Sequence, residues 1–402
     1  MHYPQVTRLK TLCLFFVIVL HALYPFASHT PFWSLYADTQ AAGADIIIRF
    51  FGATLIPAFI FASGFLLEKT LQTQTLTFSD ILGIKIKRLL APWFFTMLFW
   101  LVPLYTLFDI PAYGRPAGSS LWEAYARGFP GLFTDHLWFL LALFWATLFW
   151  LICRPLADLL ARHAPARLPA MLACRLPDLK GLLPTQEKMR NIALPEWISR
   201  NIPHVAKPDL SMADLTGLGI ALVAALIVQV GSQSLTWYCF NESAGPIIYL
   251  YCGMLAYRHR DWLDTLFREN AIKIFFPLAA AYVVLLPAYA LFFPAAWLLG
   301  ILGSLLAYQI CLGTVGMNFP LKDSKGLYAC FEKNAFRFYL FHMPTTLVLF
   351  KLLSAPDILA PWLCIPAVII LTLLITAVFV RCSHWLEETQ LPKIAAGMRP
   401  NN

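Results

Sequence analysis

Apolar residues run in long blocks along the chain, and charged residues gather in the intervals between them. Ten blocks recur, over approximately 9–28, 45–67, 88–108, 136–153, 213–232, 246–258, 274–293, 295–316, 334–353 and 361–381. A helix that crosses the hydrocarbon layer needs about 20 apolar residues, and most of the blocks have that length. The pattern predicts an all-α polytopic membrane protein with ten transmembrane helices. The sixth block, Pro246 to Tyr257, is short and needs flanking residues or a tilt to span. The first follows Arg8 and Lys10 as a signal peptide would, but many spans follow and no clean small-residue cleavage site precedes a mature domain. It reads as an uncleaved first helix.

Basic residues set the expected orientation, because they accumulate in cytoplasmic loops. With both termini in the cytoplasm, only Arg49, Arg115, Arg127 and Lys351 of the 30 basic residues fall toward the outside. Residues 154–212, between the fourth and fifth spans, hold eight prolines and nine basic residues and form a cytoplasmic insertion within a single membrane domain, 1–402. Leucines 156, 159 and 160, then Leu168, Met171 and Leu172, suggest short amphipathic pieces on the inner leaflet. A proline-punctuated loop with no activity fits the same residues. No internal repeat is visible, which weakens an inverted-repeat carrier.

Composition adds exclusions. The chain is 59% hydrophobic and 13% charged, against about 25% charged in soluble domains, so an ordinary soluble enzyme and a disordered chain are excluded. The net charge of +8 is spread between apolar blocks rather than over one compact domain, so no nucleic-acid partner is expected. The nine cysteines lack paired spacing, and only Cys239 falls in an outer loop, so no intrachain disulfide is expected outside. There is no hydrolase elbow, phosphate-binding loop, dinucleotide fingerprint or metal-ligand spacing. Neither a metal nor a permanently bound cofactor is expected.

Candidate chemistry therefore lies with ionisable groups inside or beside the spans. Lys10 and His21 are eleven residues apart, about 16 Å and three turns, which puts them on one helix face. His342 stands about 12 Å in from Asn334, with Arg337 one turn from the edge. A shared polar cavity and two separately hydrogen-bonded core histidines both fit. Lys85, Lys87 and Arg88, just ahead of Pro92, suit either a phosphate group or a plain positive-inside anchor. At the outer edge, Asp45 and Arg49 open the second span, Asp135 is a candidate N-cap ahead of His136, and Asn241 and Glu242 precede the sixth. These fit a polar mouth for a sugar, and equally fit simple interfacial residues.

Five short motifs in order resemble the integral-membrane acyltransferase 3 family. Lys10 and His21 match its Arg-x10-His, with lysine for arginine, and Gln5 stands where a further arginine is usual. Ser63-Gly64-Phe65, Lys85-Ile-Lys-Arg88, His136-Leu-Trp-Phe-Leu140 and Tyr339-Leu-Phe-His342 resemble the remaining four. The resemblance implies an O-acyltransferase of the bacterial cytoplasmic membrane, without a fused esterase-like domain. It moves an acyl group, acetyl above others, from cytoplasmic acyl-CoA to a hydroxyl of an exported glycan or lipid-linked sugar. It further implies that Lys10, Lys85, Lys87, Arg88 and Arg337 meet the donor phosphates, and that His21 acts as general base or carries the acyl group. Tyr339, His342 and Ser63 would orient that histidine or stabilise the oxyanion, Ser63 from the donor side. The acceptor would pass Asp45, Arg49, His136 and Glu242. A proton-coupled carrier, or a flippase without covalent chemistry, is the competing class.

Overall fold

The computed structural model describes residues 3–27, 43–111, 118–131, 134–163, 211–231, 237–290, 292–315, 327–354 and 361–389. Residues 164–210, most of the expected insertion, lie outside them, as does Arg115. Every regular element among the described residues is helical. The chain builds α1 (Pro4–Leu23), α2 (Ala44–Thr73), α3 (Phe78–Leu107), the short α4 (Leu121–Gly128), α5 (Trp138–His163) and α6 (Met212–Gly231). It continues through α7 (Ala244–Arg258), the short α8 (Arg260–Glu269), α9 (Ala271–Leu285), α10 (Phe293–Gly313), the short α11 (Leu327–Lys333), α12 (Ala335–Ser354) and α13 (Pro361–Thr389).

All ten apolar blocks are helices, and eight of them are long and apolar enough to cross a membrane: α1, α2, α3, α5, α6, α9, α10 and α13. The other two fail for different reasons. α7 has 15 residues, about 22 Å of rise, but it is enclosed by neighbouring helices and need not match the lipid thickness. α12 has the length, and carries Arg337, His342 and Lys351 along it.

α2 occupies the centre, packed against α1, α7 and α10. α12 and α13 pair and lean on α1, while α5 and α6 flank α7. α9 packs on α10 at the rim, with only 6% of its apolar window buried. The α2–α7 crossing is the tightest contact described. A Cβ on Gly64 would stand 1.9 Å from the Leu250 carbonyl oxygen, and one on Gly253 would stand 1.9 Å from that of Phe61. Hydrocarbon does not drive helices together as water does, so close backbone approach through small residues takes over. Gly253→Ala is expected to lower the thermal midpoint in detergent, since overpacking costs about 1–3 kcal/mol. Gly83→Ala, whose added Cβ meets nothing within 4 Å, should not lower it.

α3 is interrupted by two π turns, Ile86–Leu90 and Met97–Leu101. Pro92 and Pro103 each follow one closely, and a residue without an N–H breaks the regular ladder there. The first π turn carries Lys87 and Arg88. At the opposite end of α3, Lys351 donates to the Phe108 and Asp109 carbonyls (2.5 and 3.0 Å), a cation on a helix C-terminus.

The bundle end that carries the start of α1 and the basic cluster, here the basic face, is cross-linked by polar contacts. Arg258 of α7 bonds Glu68 of α2 (2.8 Å) and Asp214 of α6 (2.9 Å), and His259 meets Asp214 at 3.1 Å. Two largely buried carboxylates are thus paired rather than left bare. The amphipathic α8 turns Leu263 and Phe267 inward, and its Asp264 accepts from Tyr308 (2.6 Å) and Gln5 (3.3 Å). Gln5 therefore anchors the start of α1.

Candidate active site

Three histidines from three elements converge. His21 lies in the last turn of α1, two residues before its end. A 3₁₀ turn, Tyr24–Phe26, with Pro25 inside it, stops the helix there. His342 comes from α12, and His136 from the 3₁₀ turn Asp135–Leu137 ahead of α5. His21 Nδ1 and His342 Nε2 are 2.8 Å apart, with rings stacked at 14° and centroids at 5.0 Å. The His136 ring meets the His342 ring edge-on at 5.1 Å.

Backbone carbonyls set the tautomers. His342 Nδ1 faces the Tyr339 carbonyl at 2.8 Å and the Phe338 carbonyl at 3.2 Å. A carbonyl only accepts, so that nitrogen carries the hydrogen, and in a neutral ring Nε2 is the acceptor. His21 Nδ1–H then donates to His342, which leaves the basic lone pair of His21 on Nε2. His136 is fixed by a different device. Pro344, inside α12, has no N–H for the carbonyl four residues back, that of Leu340. His136 Nε2–H takes it at 3.2 Å, which leaves the buried His136 Nδ1 without a partner.

The turn that holds His136 is built against local preference. Asp135 has a positive φ of 44° and does not cap α5; its carboxylate accepts from the Tyr105 hydroxyl. The N-cap expected of Asp135 is thereby corrected: the capping position is Thr134, which makes no side-chain cap either. Tyr339 donates its hydroxyl hydrogen to the His136 carbonyl, so it braces this turn and has no hydrogen left for an oxyanion.

His21, His136 and Tyr339 line a cavity of about 100 Å³, together with Tyr24, Gly52 and Trp138. Tyr24, Gly52, Ile56 and Trp138 also line a second, larger space of about 680 Å³, here the vestibule. It carries Arg49, Gln229, Asn241 and Glu242 among aromatic walls that include Tyr249 and Trp297. Volumes of this order hold small-molecule ligands. Burial pushes the Glu242 carboxyl above its ordinary range, opposed by the Asn241 amide that hydrogen-bonds it at 3.2 Å.

The expected donor residues are only partly brought together. Lys10, Lys85 and Arg88 come within range of one another's charge. The Lys10 ammonium sits 5.3 Å from the centre of the Phe59 ring, which contacts Phe139, which contacts Tyr339. Lys87 is exposed on the neighbouring π turn. Arg337 bonds Ser383 at 2.7 Å and ties α12 to α13. Ser63 donates to the Phe59 carbonyl of its own helix at 2.9 Å. On the acceptor side Arg49 and Glu242 share the vestibule and His136 the cavity, while Asp45, in the first turn of α2, lines neither.

The model of a family described as an acyltransferase domain matches residues 4–381, which takes in every residue of both cavities. The chain belongs to the acyltransferase 3 family. No curated protein and no solved structure matches it. This membrane acyltransferase thus brings its first-helix histidine and its penultimate-helix histidine into direct contact. Gly52, Tyr24 and Pro344 escaped the sequence reading, because none carries a charge at neutral pH and each matters through shape or a missing hydrogen. The Glu68–Arg258–Asp214 cluster escaped it too, although the Ser211-x-x-Asp214 capping box is a readable signal.

Proposed function

We propose that this acyltransferase transfers an acyl group, acetyl above others, from cytoplasmic acyl-CoA to a hydroxyl of an exported glycan or lipid-linked sugar in a bacterial cytoplasmic membrane. The observation that carries the reading is the His342–His21 contact at the edge of a cavity continuous in its lining with a sugar-sized vestibule. The acceptor hydroxyl approaches from the vestibule and attacks the thioester carbonyl carbon. As the new C–O bond forms, the hydroxyl proton passes to His21 Nε2. The C–S bond breaks, and the departing thiolate takes that proton from the imidazolium. Acyl ester and free thiol are the products. His342 holds His21 in the tautomer with Nε2 unprotonated, and stabilises the transient positive charge by accepting from Nδ1–H. This is the orienting role that a hydrogen-bond partner plays for a catalytic histidine generally.

Donor phosphates meet Lys10, Lys85 and Arg88 at the basic face, with Lys87 contributing from the exposed side. The pantetheine arm then covers the eleven residues from Lys10 to His21, about 16 Å of helix rise. This requires the basic face to be cytoplasmic. Cysteine labelling in intact cells is expected to protect residues within 154–212 and the C-terminal segment from impermeant reagent. Labelling of the 154–212 segment from outside would reverse the donor and acceptor sides. The direct test is purified protein with labelled acetyl-CoA: thioester consumption that depends on His21 supports the reading, and consumption indifferent to it does not.

A further inference from the structure

The vestibule presents a cation with no counter-ion among the described residues. Arg49 lines it, yet forms no hydrogen bond or ion pair there. The carboxylate that shares the space, Glu242, is engaged by the Asn241 amide. A guanidinium is a planar fork that grips a carboxylate or phosphate through two parallel N–H···O bonds, whereas neutral hydroxyls engage it more weakly.

The position of Arg49 relative to the chemistry follows from helix geometry. Arg49, Gly52 and Ile56 fall at i, i+3 and i+7 of α2 and so share one face. All three line the vestibule, and Gly52 and Ile56 also line the histidine cavity. From Arg49 to Ile56 the helix rises about 10 Å. Gly52 occupies the boundary between the two spaces, and a Cβ built on it would meet no atom within 4 Å. Packing therefore does not demand a glycine here. Its missing side chain keeps the passage open.

We propose that the acceptor carries an oxyanion, either a carboxylate or a phosphate ester, besides the hydroxyl that is acylated. Arg49 binds the oxyanion, and the hydroxyl reaches His21 past Gly52. This inference rests on His21 acting as the base of an acyl transfer. It identifies the acceptor by charge, and it makes Gly52 a determinant of access rather than of folding.

The test uses the full chain in lipid nanodiscs with labelled acetyl-CoA and one of three probes of similar size: glucuronic acid, glucose 1-phosphate or methyl glucoside. Label transfer to one of the anionic probes is expected to exceed transfer to methyl glucoside by about tenfold or more. The preferred probe tells a sugar carboxylate from a phosphate. Arg49→Gln should erase the difference, and Arg49→Lys should restore only part of it, since a point charge lacks the fork. Gly52→Leu should abolish transfer to all three probes while the protein still binds acetyl-CoA at the basic face. Equal transfer to the three probes, transfer to none with acetyl-CoA consumption intact, or an anion preference that survives Arg49→Gln each overturns the proposal. Absence of His21-dependent acetyl-CoA consumption in the wild-type protein is a separate failure, and overturns the acyl-transfer mechanism itself.

Discussion

His21→Gln is expected to reduce acyl transfer by about 10²–10⁴-fold, the usual worth of a positioned general base. Glutamine keeps a hydrogen-bonding group near His342 but cannot take the proton. Binding of acyl-CoA should survive, because the basic face is unchanged. His342→Ala is the companion: it removes the acceptor for His21 Nδ1–H without removing the base. Activity should fall but stay measurable, since a fraction of the His21 population still presents Nε2 as the lone pair. Initial rates with labelled acetyl-CoA, alongside equilibrium binding of a non-hydrolysable analogue, separate the two variants. Near wild-type turnover by His21→Gln would end the general-base mechanism.

The second large effect is expected at the donor site. Replacing Lys85, Lys87 and Arg88 together by glutamine should weaken acyl-CoA binding by about 10²-fold or more, given that each charge-assisted hydrogen bond contributes about 1.5–3 kcal/mol. The three positions should not contribute equally. Lys87 and Arg88 are both exposed, but Lys85 and Arg88 share their field with Lys10 and Lys87 does not, so Lys87→Gln alone should have the mildest effect. The loss should depend on salt less than a surface pair would, because the site is partly desolvated. Lys10→Arg should tighten binding if a fork serves the phosphates better than a point charge. Unchanged affinity in the triple variant would reduce the cluster to an orientation signal.

Much of the frame was legible in the chain because hydrocarbon imposes a length and composition on each span. All ten apolar blocks became helices, and even the short sixth block did so. The Lys10–His21 spacing gave a shared face, and family motifs singled out His342. What the motifs could not give is the pairing of His21 with His342, residues 321 apart in sequence, since no local pattern encodes a contact between two helices. Depth reasoning from Asn334 set His342 shallower than His21, whereas the rings are stacked. Tyr339 illustrates a subtler limit. Its motif implied a part in the chemistry, but where a hydroxyl hydrogen goes depends on which carbonyl lies opposite, here that of His136. Pro344 works in the same way: its consequence is a free Leu340 carbonyl, visible only once His136 is beside it.

The interlocked glycines of α2 and α7 bear on how a group crosses the membrane at all. Each backbone sits in the notch of the other, with Phe61 and Gly64 three residues apart on α2 and Leu250 and Gly253 three apart on α7, so sliding or rolling one helix would drive carbonyl oxygens into Cα atoms. A rocking-bundle carrier needs its central helices to shear past each other on every cycle. Here the central pair is a stator. In the proposed transfer the acyl group would therefore cross a barrier that stays still, with coenzyme on one side and the hydroxyl on the other.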